Sequence, residues 1–306
     1  MRTTPFRRIA AIATTAAIIV AILGIASPAS AATVYPVNWS TLGAAAIGAA
    51  DEAAPAGADN IFCRPSATHP YPVILVHGVV ANENITWEAL APTLANAGYC
   101  VYTLNYGQVW YSGDLGGIAD INSSASTLNA FVNTVRMWTG ASKVDLVGHS
   151  EGGNLARLYM KTYGASHVSS YVGLAPMNVG PPTLSGLVTV IDQVPGGAAA
   201  FATGCPACGQ LTTPSYYTAL NSPSPTFSNV TYTDIATVDD EAVTPYQLAF
   251  LPAAPNVTNE TIQSFCPSDP VGHLGLPYDR TAVQLTLNAL DPAHAGAVPC
   301  VPGFPL

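Results

Sequence analysis

Basic residues are scarce in this chain: Lys and Arg together number nine in 306 residues, against eighteen Asp and Glu, and charged residues make up only 9% of the sequence. Three of the nine, Arg2, Arg7 and Arg8, fall at the extreme N-terminus. The acidic balance that remains argues against nucleic acid and against electrostatic docking to anionic membranes. It also offers little to hold a substrate carboxylate or phosphate. Long apolar runs are missing too, apart from one near the N-terminus, and inspection finds no internal repeat. The low charge and the high apolar fraction, 49%, suit a large buried core under a mainly neutral polar surface.

The N-terminal run has the layout of an export signal. Arginines precede the apolar stretch from Ile9 to Ile25, and Ala29-Ser30-Ala31 supplies small residues for cleavage. Pro28 and the Ala and Thr that dilute the run argue against a membrane anchor. Arg7-Arg8 sits in surroundings that fit twin-arginine export poorly, so the general secretory route is expected. Cleavage after Ala31 would leave residues 32–306 as one domain with a formal charge of −12, since three of the nine basic residues are lost with the leader.

All six cysteines lie beyond that point, an even number in a chain bound for an oxidising compartment, which implies disulfides. The expected pairs are Cys63 with Cys100, Cys205 with Cys208, and Cys266 with Cys300. Cys205-Pro206-Ala207-Cys208 lacks the second Cys pair or nearby His of a zinc site.

Strand-like and helix-like runs alternate along much of the chain. Strands are expected at Val73 to Val76, Val101 to Leu104, Val144 to Val147, Val168 to Leu174, Val230 to Thr237 and Thr261 to Phe265. Helices are expected near Trp87 to Ala97, Ile118 to Trp138, Asn154 to Tyr163 and Asp279 to Leu290. This alternation implies βαβ crossovers and a mainly parallel sheet with helices on both faces. Ligands in such sheets bind beyond the carboxyl ends of the strands. Residues 179–228, punctuated by Pro181-Pro182, Gly196-Gly197 and Ser222-Pro223-Ser224-Pro225, read as an irregular, cap-like insertion over that edge. Residues 32–60, rich in Ala and Gly, read as a lead-in without visible chemistry.

The pentapeptide Gly148-His149-Ser150-Glu151-Gly152 carries the most chemical information. It joins the strand-like Lys143 to Val147 to a helix-like stretch, and a serine on so sharp a turn needs small residues two positions to either side. The turn exposes the serine Oγ and aims the first amides of the helix at a reacting carbonyl. A serine hydroxyl needs a base, and the base an orienting carboxylate. Downstream histidines are His167, His273 and His294. Of these, His273 lies in a glycine-flexed loop, Pro270 to Leu276, between the last candidate strand and the last helix, where the base is expected; His167 reads as a turn residue and His294 as part of the tail. The loop after Val230 to Val238 offers three acids in a row, Asp239, Asp240 and Glu241, which spacing does not separate. Oxyanion donors are expected from the amides of Glu151 and of Val79, the latter in the loop after Val73 to Val76, where Gly78 permits close backbone approach. His77 is expected to brace that loop and His149 to pack beside the serine.

Pro72 to Gly78, Gly148 to Gly152, Asp240 to Pro245 and Val271 to Leu276 together resemble secreted actinobacterial lipases and esterases of the α/β-hydrolase superfamily, the class 2-like lipases. The likeness spans nearly all of residues 32–306 and extends more distantly to compact Bacillus-type lipases and fungal lipase B. It implies an α/β-hydrolase fold, with Ser150, Asp240 and His273 as the catalytic residues and Val79 and Glu151 at the oxyanion hole. One departure is that Val79 to Asn84 is not glycine-rich, as many lipase oxyanion loops are. The expected activity is a lipase cleaving acylglycerols or other apolar esters through an acyl-enzyme, with no metal or cofactor. Alternatives are a short-chain carboxylesterase or polyesterase, an acyltransferase, and a non-catalytic binding module on the same fold. The expected partners are a lipid or ester substrate, including one at an oil–water interface, with no nucleic acid, no integral membrane anchor after signal cleavage, and a monomeric state. The apolar residues Leu184, Leu187, Val188, Val190, Ile191, Phe201 and Leu211 are expected to form either the core of the insertion or an acyl-binding wall.

Overall fold

The computed structural model describes residues 34–42 and 53–305. The expected export signal lies outside the described residues. Among them, six strands form one parallel sheet in the order β2-β1-β3-β4-β5-β6. These are β1 (Val73–Val76), β2 (Val101–Leu104), β3 (Val144–His149), β4 (Val168–Leu174), β5 (Thr231–Ala236) and β6 (Val257–Thr261). Parallel strands need crossovers, and the helices that make them cover both faces. Alternation along each strand divides the core. Ile74 and Val76 join Tyr102, Leu104, Val144 and Leu146 on one face, while Val73 and Leu75 join Val101 and Val147 on the other. The first face packs against α3 (Ile121–Thr139) and α4 (Glu151–Tyr163), the second against α2 (Leu90–Asn96) and α10 (Arg280–Leu290). A short α1 (Glu83–Trp87) precedes α2, so the single helix expected near Trp87 is two.

The chain order of strands shows where a site can form. The sheet starts at β1 in the middle, steps outward to β2, then returns past β1 to β3. Loops leaving β1 and β3 therefore diverge over the carboxyl edge, which leaves a crevice between them.

Two expectations about local structure are corrected. The final strand is not Thr261 to Phe265: β6 ends at Thr261, and Ile262–Phe265 forms one helical turn, α9. The strand itself, Val-Thr-Asn-Glu-Thr, lies at the sheet edge with two of its residues exposed, so it lacks the apolar alternation that marks a half-buried strand. The insertion at 179–228 is not irregular. It holds α5 (Leu184–Ile191), α6 (Gly197–Thr203), α7 (Pro206–Leu211) and α8 (Pro214–Asn221). Pro206 and Pro214 stand in the first turns of their helices and Gly196 is a left-handed N-cap. Gly196-Gly197, read as a break, is therefore a helix start. Helices of six to eight residues are also too short to show a period.

All three expected disulfides are present: Cys63–Cys100, Cys205–Cys208 and Cys266–Cys300. No helix among the described residues is long and apolar enough to cross a membrane.

Candidate active site

Ser150 stands between β3 and α4 with φ 54° and ψ −122°, a left-handed backbone that a non-glycine residue adopts only when its surroundings force it. The surroundings are backbone. A Cβ on Gly152 would lie 2.0 Å from the Val76 carbonyl oxygen, and one on Gly148 would lie 2.5 Å from the Gly152 carbonyl carbon. Strand and helix therefore close on each other, and on β1, only because both positions lack side chains. Ser150 N donates to Leu174 O at 2.9 Å, which ties the turn to β4.

His273 is assembled from several segments. Its Nδ1–H donates to Asp240 Oδ2 at 3.0 Å, which leaves Nε2 with the free lone pair. Asp240 is itself fixed, its Oδ1 accepting from the amides of Ala242 (2.9 Å) and Val243 (2.7 Å). Glu241 Oε2 accepts the His273 backbone N–H at 2.9 Å, and His149 Nε2–H donates to the His273 carbonyl at 3.0 Å. Asp239 is exposed, with Gln263 at 3.4 Å as its side-chain neighbour. The structure thus separates the three consecutive acids: one meets the ring, one the backbone of the same residue, one faces solvent.

Electrostatics distinguish the histidines. Burial pulls the His273 imidazole down, but the charge of Asp240, its hydrogen bond and the nearby Glu241 together lift it above its ordinary value. His149 is held well below its ordinary value by burial and by the neighbouring His273. His77, buried, is lowered to about 4; it stacks on Tyr106 at 4.3 Å and its Nδ1–H donates to Gly78 O at 2.8 Å, so it braces the loop as expected. His294 is on the exposed tail, paired with Asp291, and His167 lies on a surface turn.

Ser150, His273, Gly78 and Val79 line one cleft. The loop after β1 reaches the serine: a Cβ on Gly78 would lie 3.2 Å from Ser150 Cβ. The Glu151 amide opens α4, so it is one of the four helix-starting amides without an intrahelical acceptor. The cleft thus brings together the residue types that proton transfer from a serine to a carboxylate-held imidazole needs, beside the first amides of a helix. Among the described residues no group of three or more His, Cys, Asp or Glu is placed to hold a metal ion.

A family model for the α/β hydrolase fold matches residues 71–248. The chain belongs to the α/β-hydrolase family. Triacylglycerol lipases of Pseudarthrobacter phenanthrenivorans and Burkholderia plantarii are each 36% identical to it over 92 residues, 28% of this chain and 27% and 24% of theirs. The chain thus matches about a quarter of the length of these relatives. Among solved structures, Aspergillus fumigatus lipase B superposes with a TM-score of 0.59 at 21% identity, covering 77% of this chain and 56% of that one. A Bacillus licheniformis lipase in its mature form gives 0.53 at 17% identity, covering 74% and 94%. At such identities these two matches establish the fold alone.

The remaining walls of the cleft include residues that sequence reasoning missed. Thr41 and Leu42, in the lead-in read as chemically silent, line the cleft, as does Phe304 near the C-terminus. Of the apolar residues of the insertion, Leu187 lines the cleft, joined by Val194 and Pro195, whereas Ile191 packs with Val79 and Val80 and Leu211 belongs to the main core. No local pattern marks Leu42 or Phe304, since only the fold brings these residues to the cleft.

Proposed function

We propose that this α/β hydrolase is a secreted serine ester hydrolase, a lipase that cleaves acylglycerols or other apolar carboxylic esters through an acyl-enzyme on Ser150. The observation that carries the reading is the Asp240–His273 hydrogen bond, 3.0 Å, in a loop that faces the same cleft as a serine held in a strained turn. Ser150 Oγ attacks the acyl carbonyl while His273 Nε2 takes its proton. Asp240 stabilises the imidazolium and fixes the tautomer. The amides of Val79 and Glu151 receive the oxyanion. The proton then passes to the leaving alcohol, and water clears the acyl group by the same steps in reverse.

The cleft supports an uncharged substrate. Leu42, Ile85, Leu187, Val194, Leu274 and Phe304 line it, and no Lys or Arg does so among the described residues. Such a lining favours an alkyl acyl chain over one that ends in a carboxylate or phosphate. The lipase names of the partial relatives agree with this reading. The export signal over residues 1–31 and the three disulfides support extracellular placement of a single domain, residues 32–306, with 179–228 as its cap.

A fluorophosphonate probe tests the chemistry: it should label the protein, and Ser150→Ala should abolish the label. An unlabelled, folded wild type would mean a binding module instead. Hydrolysis of p-nitrophenyl esters from short to long chain, beside triglyceride emulsions, tests the substrate class. Turnover restricted to the shortest esters would make the protein a carboxylesterase, and acyl transfer to an added alcohol in place of hydrolysis would make it an acyltransferase.

A further inference from the structure

Glu151 contributes its amide to the reading above, but its side chain is chemically unaccounted for. The residue is 0% exposed, and both carboxyl oxygens are buried without a hydrogen-bond partner. Its surroundings are the back of the oxyanion loop. A Cβ on Gly117 would lie 3.0 Å from Glu151 Oε2, 2.7 Å from Gly78 O and 2.8 Å from Val79 Cα, so the Gly117 turn touches the acid and the loop at once. That turn is fixed by Gly117 N donating to Tyr106 O at 2.8 Å and by Gly116 N donating to Ala81 O at 2.7 Å.

No positively charged group pairs with the acid. Tyr106, in the loop after β2, and Tyr216 and Tyr217, on α8, all sense a charge on Glu151 and are pushed upward, mainly by their own burial. His77, at the end of β1 beside Gly116, is kept neutral by burial. Arg157, further along α4, is engaged by Asn178, Asn221 and the Pro225 carbonyl. With burial as the one cause at work, the Glu151 carboxyl sits well above the ordinary carboxylate range.

We propose that the Glu151 side chain is a positioning residue for the oxyanion: as the uncharged acid it fills the space behind the Gly78–Val79 backbone, and as a carboxylate it would shut turnover down. This inference rests on the proposed acyl transfer at Ser150. Two physical effects underlie it. A carboxylate one side-chain length from the amide that receives the oxyanion opposes the same developing charge, in a site where little water screens it. A carboxylate without donors would also draw the loop amides toward itself, in competition with the oxyanion. A purely structural role predicts neither effect, since an apolar side chain of the same size would fill the space at lower desolvation cost.

The test is steady-state turnover of a p-nitrophenyl ester from pH 6 to 10.5 with wild type, Glu151→Gln, Glu151→Met and Glu151→Ala, each checked by a thermal melt and by fluorophosphonate labelling. Wild-type kcat should fall on the alkaline side by tenfold or more while the protein stays folded, with KM changing less than about twofold. The Gln variant should lose a few-fold in kcat at pH 7 but keep a flat alkaline side. Met, which also fills the space and cannot ionise, should melt at a higher temperature and likewise lack the alkaline fall, which covers the case of a Gln variant that fails to fold. Ala, which empties the space, should lower kcat about tenfold at pH 7 with KM little changed. An alkaline fall in Gln or Met that matches wild type, or a folded wild type without one, overturns the inference. Labelling separates the two levels: an unlabelled wild type removes the hydrolase reading and this inference with it, whereas a labelled set with identical pH profiles removes this inference alone.

Discussion

Ser150 and His273 are held by opposite means. The serine turn is fixed by absence: Gly148, Gly152 and Gly153 have no side chains, so β3, α4, the β1 backbone and Pro176 close together around it. The histidine loop is fixed by additions. Asp240 holds its ring, Glu241 its amide and His149 its carbonyl, while Asp269 Oδ1 accepts from the amides of Val271 (3.1 Å) and Gly303 (2.8 Å), and Cys266–Cys300 ties the C-terminal tail alongside. A sterically closed turn depends on residue size, a tied loop on residue chemistry. The first should respond to substitution through the fold and the second through the rate.

The largest effects should separate the two regions most sharply. Gly152→Ala places a Cβ 2.0 Å from a carbonyl oxygen of the central strand, a contact with backbone on both sides that no side-chain rotation relieves. It should cost more than about 4 kcal/mol, so the variant should be insoluble or melt at least ten degrees lower. Asp240→Asn should do the reverse. Asn can still accept the Ala242 and Val243 amides, so the melt should move by a few degrees at most, yet kcat/KM should fall by about 10⁴ because the imidazole loses its orientation and its counter-charge. A folded, weakly affected Gly152→Ala, or an Asp240→Asn that loses stability in proportion to rate, would break the contrast.

The same contrast explains what the sequence made legible. The bounds expected for β1, β2 and β4 match to the residue, because buried parallel strands rich in β-branched, aromatic and aliphatic residues stand out between turns. Ser150 was equally plain, since steric closure leaves a spacing of glycines in one short stretch. His273 stands out as the candidate base only by elimination among three histidines, and its carboxylate partner only through the family resemblance, because the ties come from residues 149, 240, 241, 269 and 303, which no local pattern links. The cap failed as a secondary-structure reading because its helices are brief and start on Pro and Gly. Thr41, Leu42 and Phe304 are not legible as cleft residues, because nothing in their sequence neighbourhoods encodes their place at the cleft.

The disulfides offer a comparison of intermediate size. Cys266–Cys300 closes a loop with a sequence separation of 34 that includes His273, and in the loop-entropy model its removal should cost about 4 kcal/mol. Cys205–Cys208, with a separation of 3 inside the cap, should cost about 2 kcal/mol in the same model. Serine pairs at both positions, compared by denaturant unfolding and by kcat, should show the first losing stability and turnover together and the second leaving turnover nearly intact. Equal losses of turnover would show that the tail does not help to hold the histidine.

The smallest expected effect concerns pH, and it asks whether the ties on the histidine loop tune the ring or only orient it. Burial favours the neutral imidazole, while Asp240 and Glu241 favour the protonated one, and the carboxylates prevail, so His273 sits above its ordinary value of 6.5. Only the neutral ring can accept the Ser150 proton, so kcat/KM should rise through a single acid-side step whose midpoint lies above 6.5, with less than half of the maximal rate at that pH. His149, held well below its ordinary value, should add no second step in this range. Glu241→Gln removes one of the two charges and keeps a partner for the His273 amide, so it should shift the midpoint downward while changing the plateau rate by a few-fold at most. A wild-type midpoint below 6.5 would mean that desolvation outweighs the carboxylates. The polar ties would then act as the glycines do at Ser150, by geometry alone, and the contrast between the two regions would reduce to one of construction rather than chemistry.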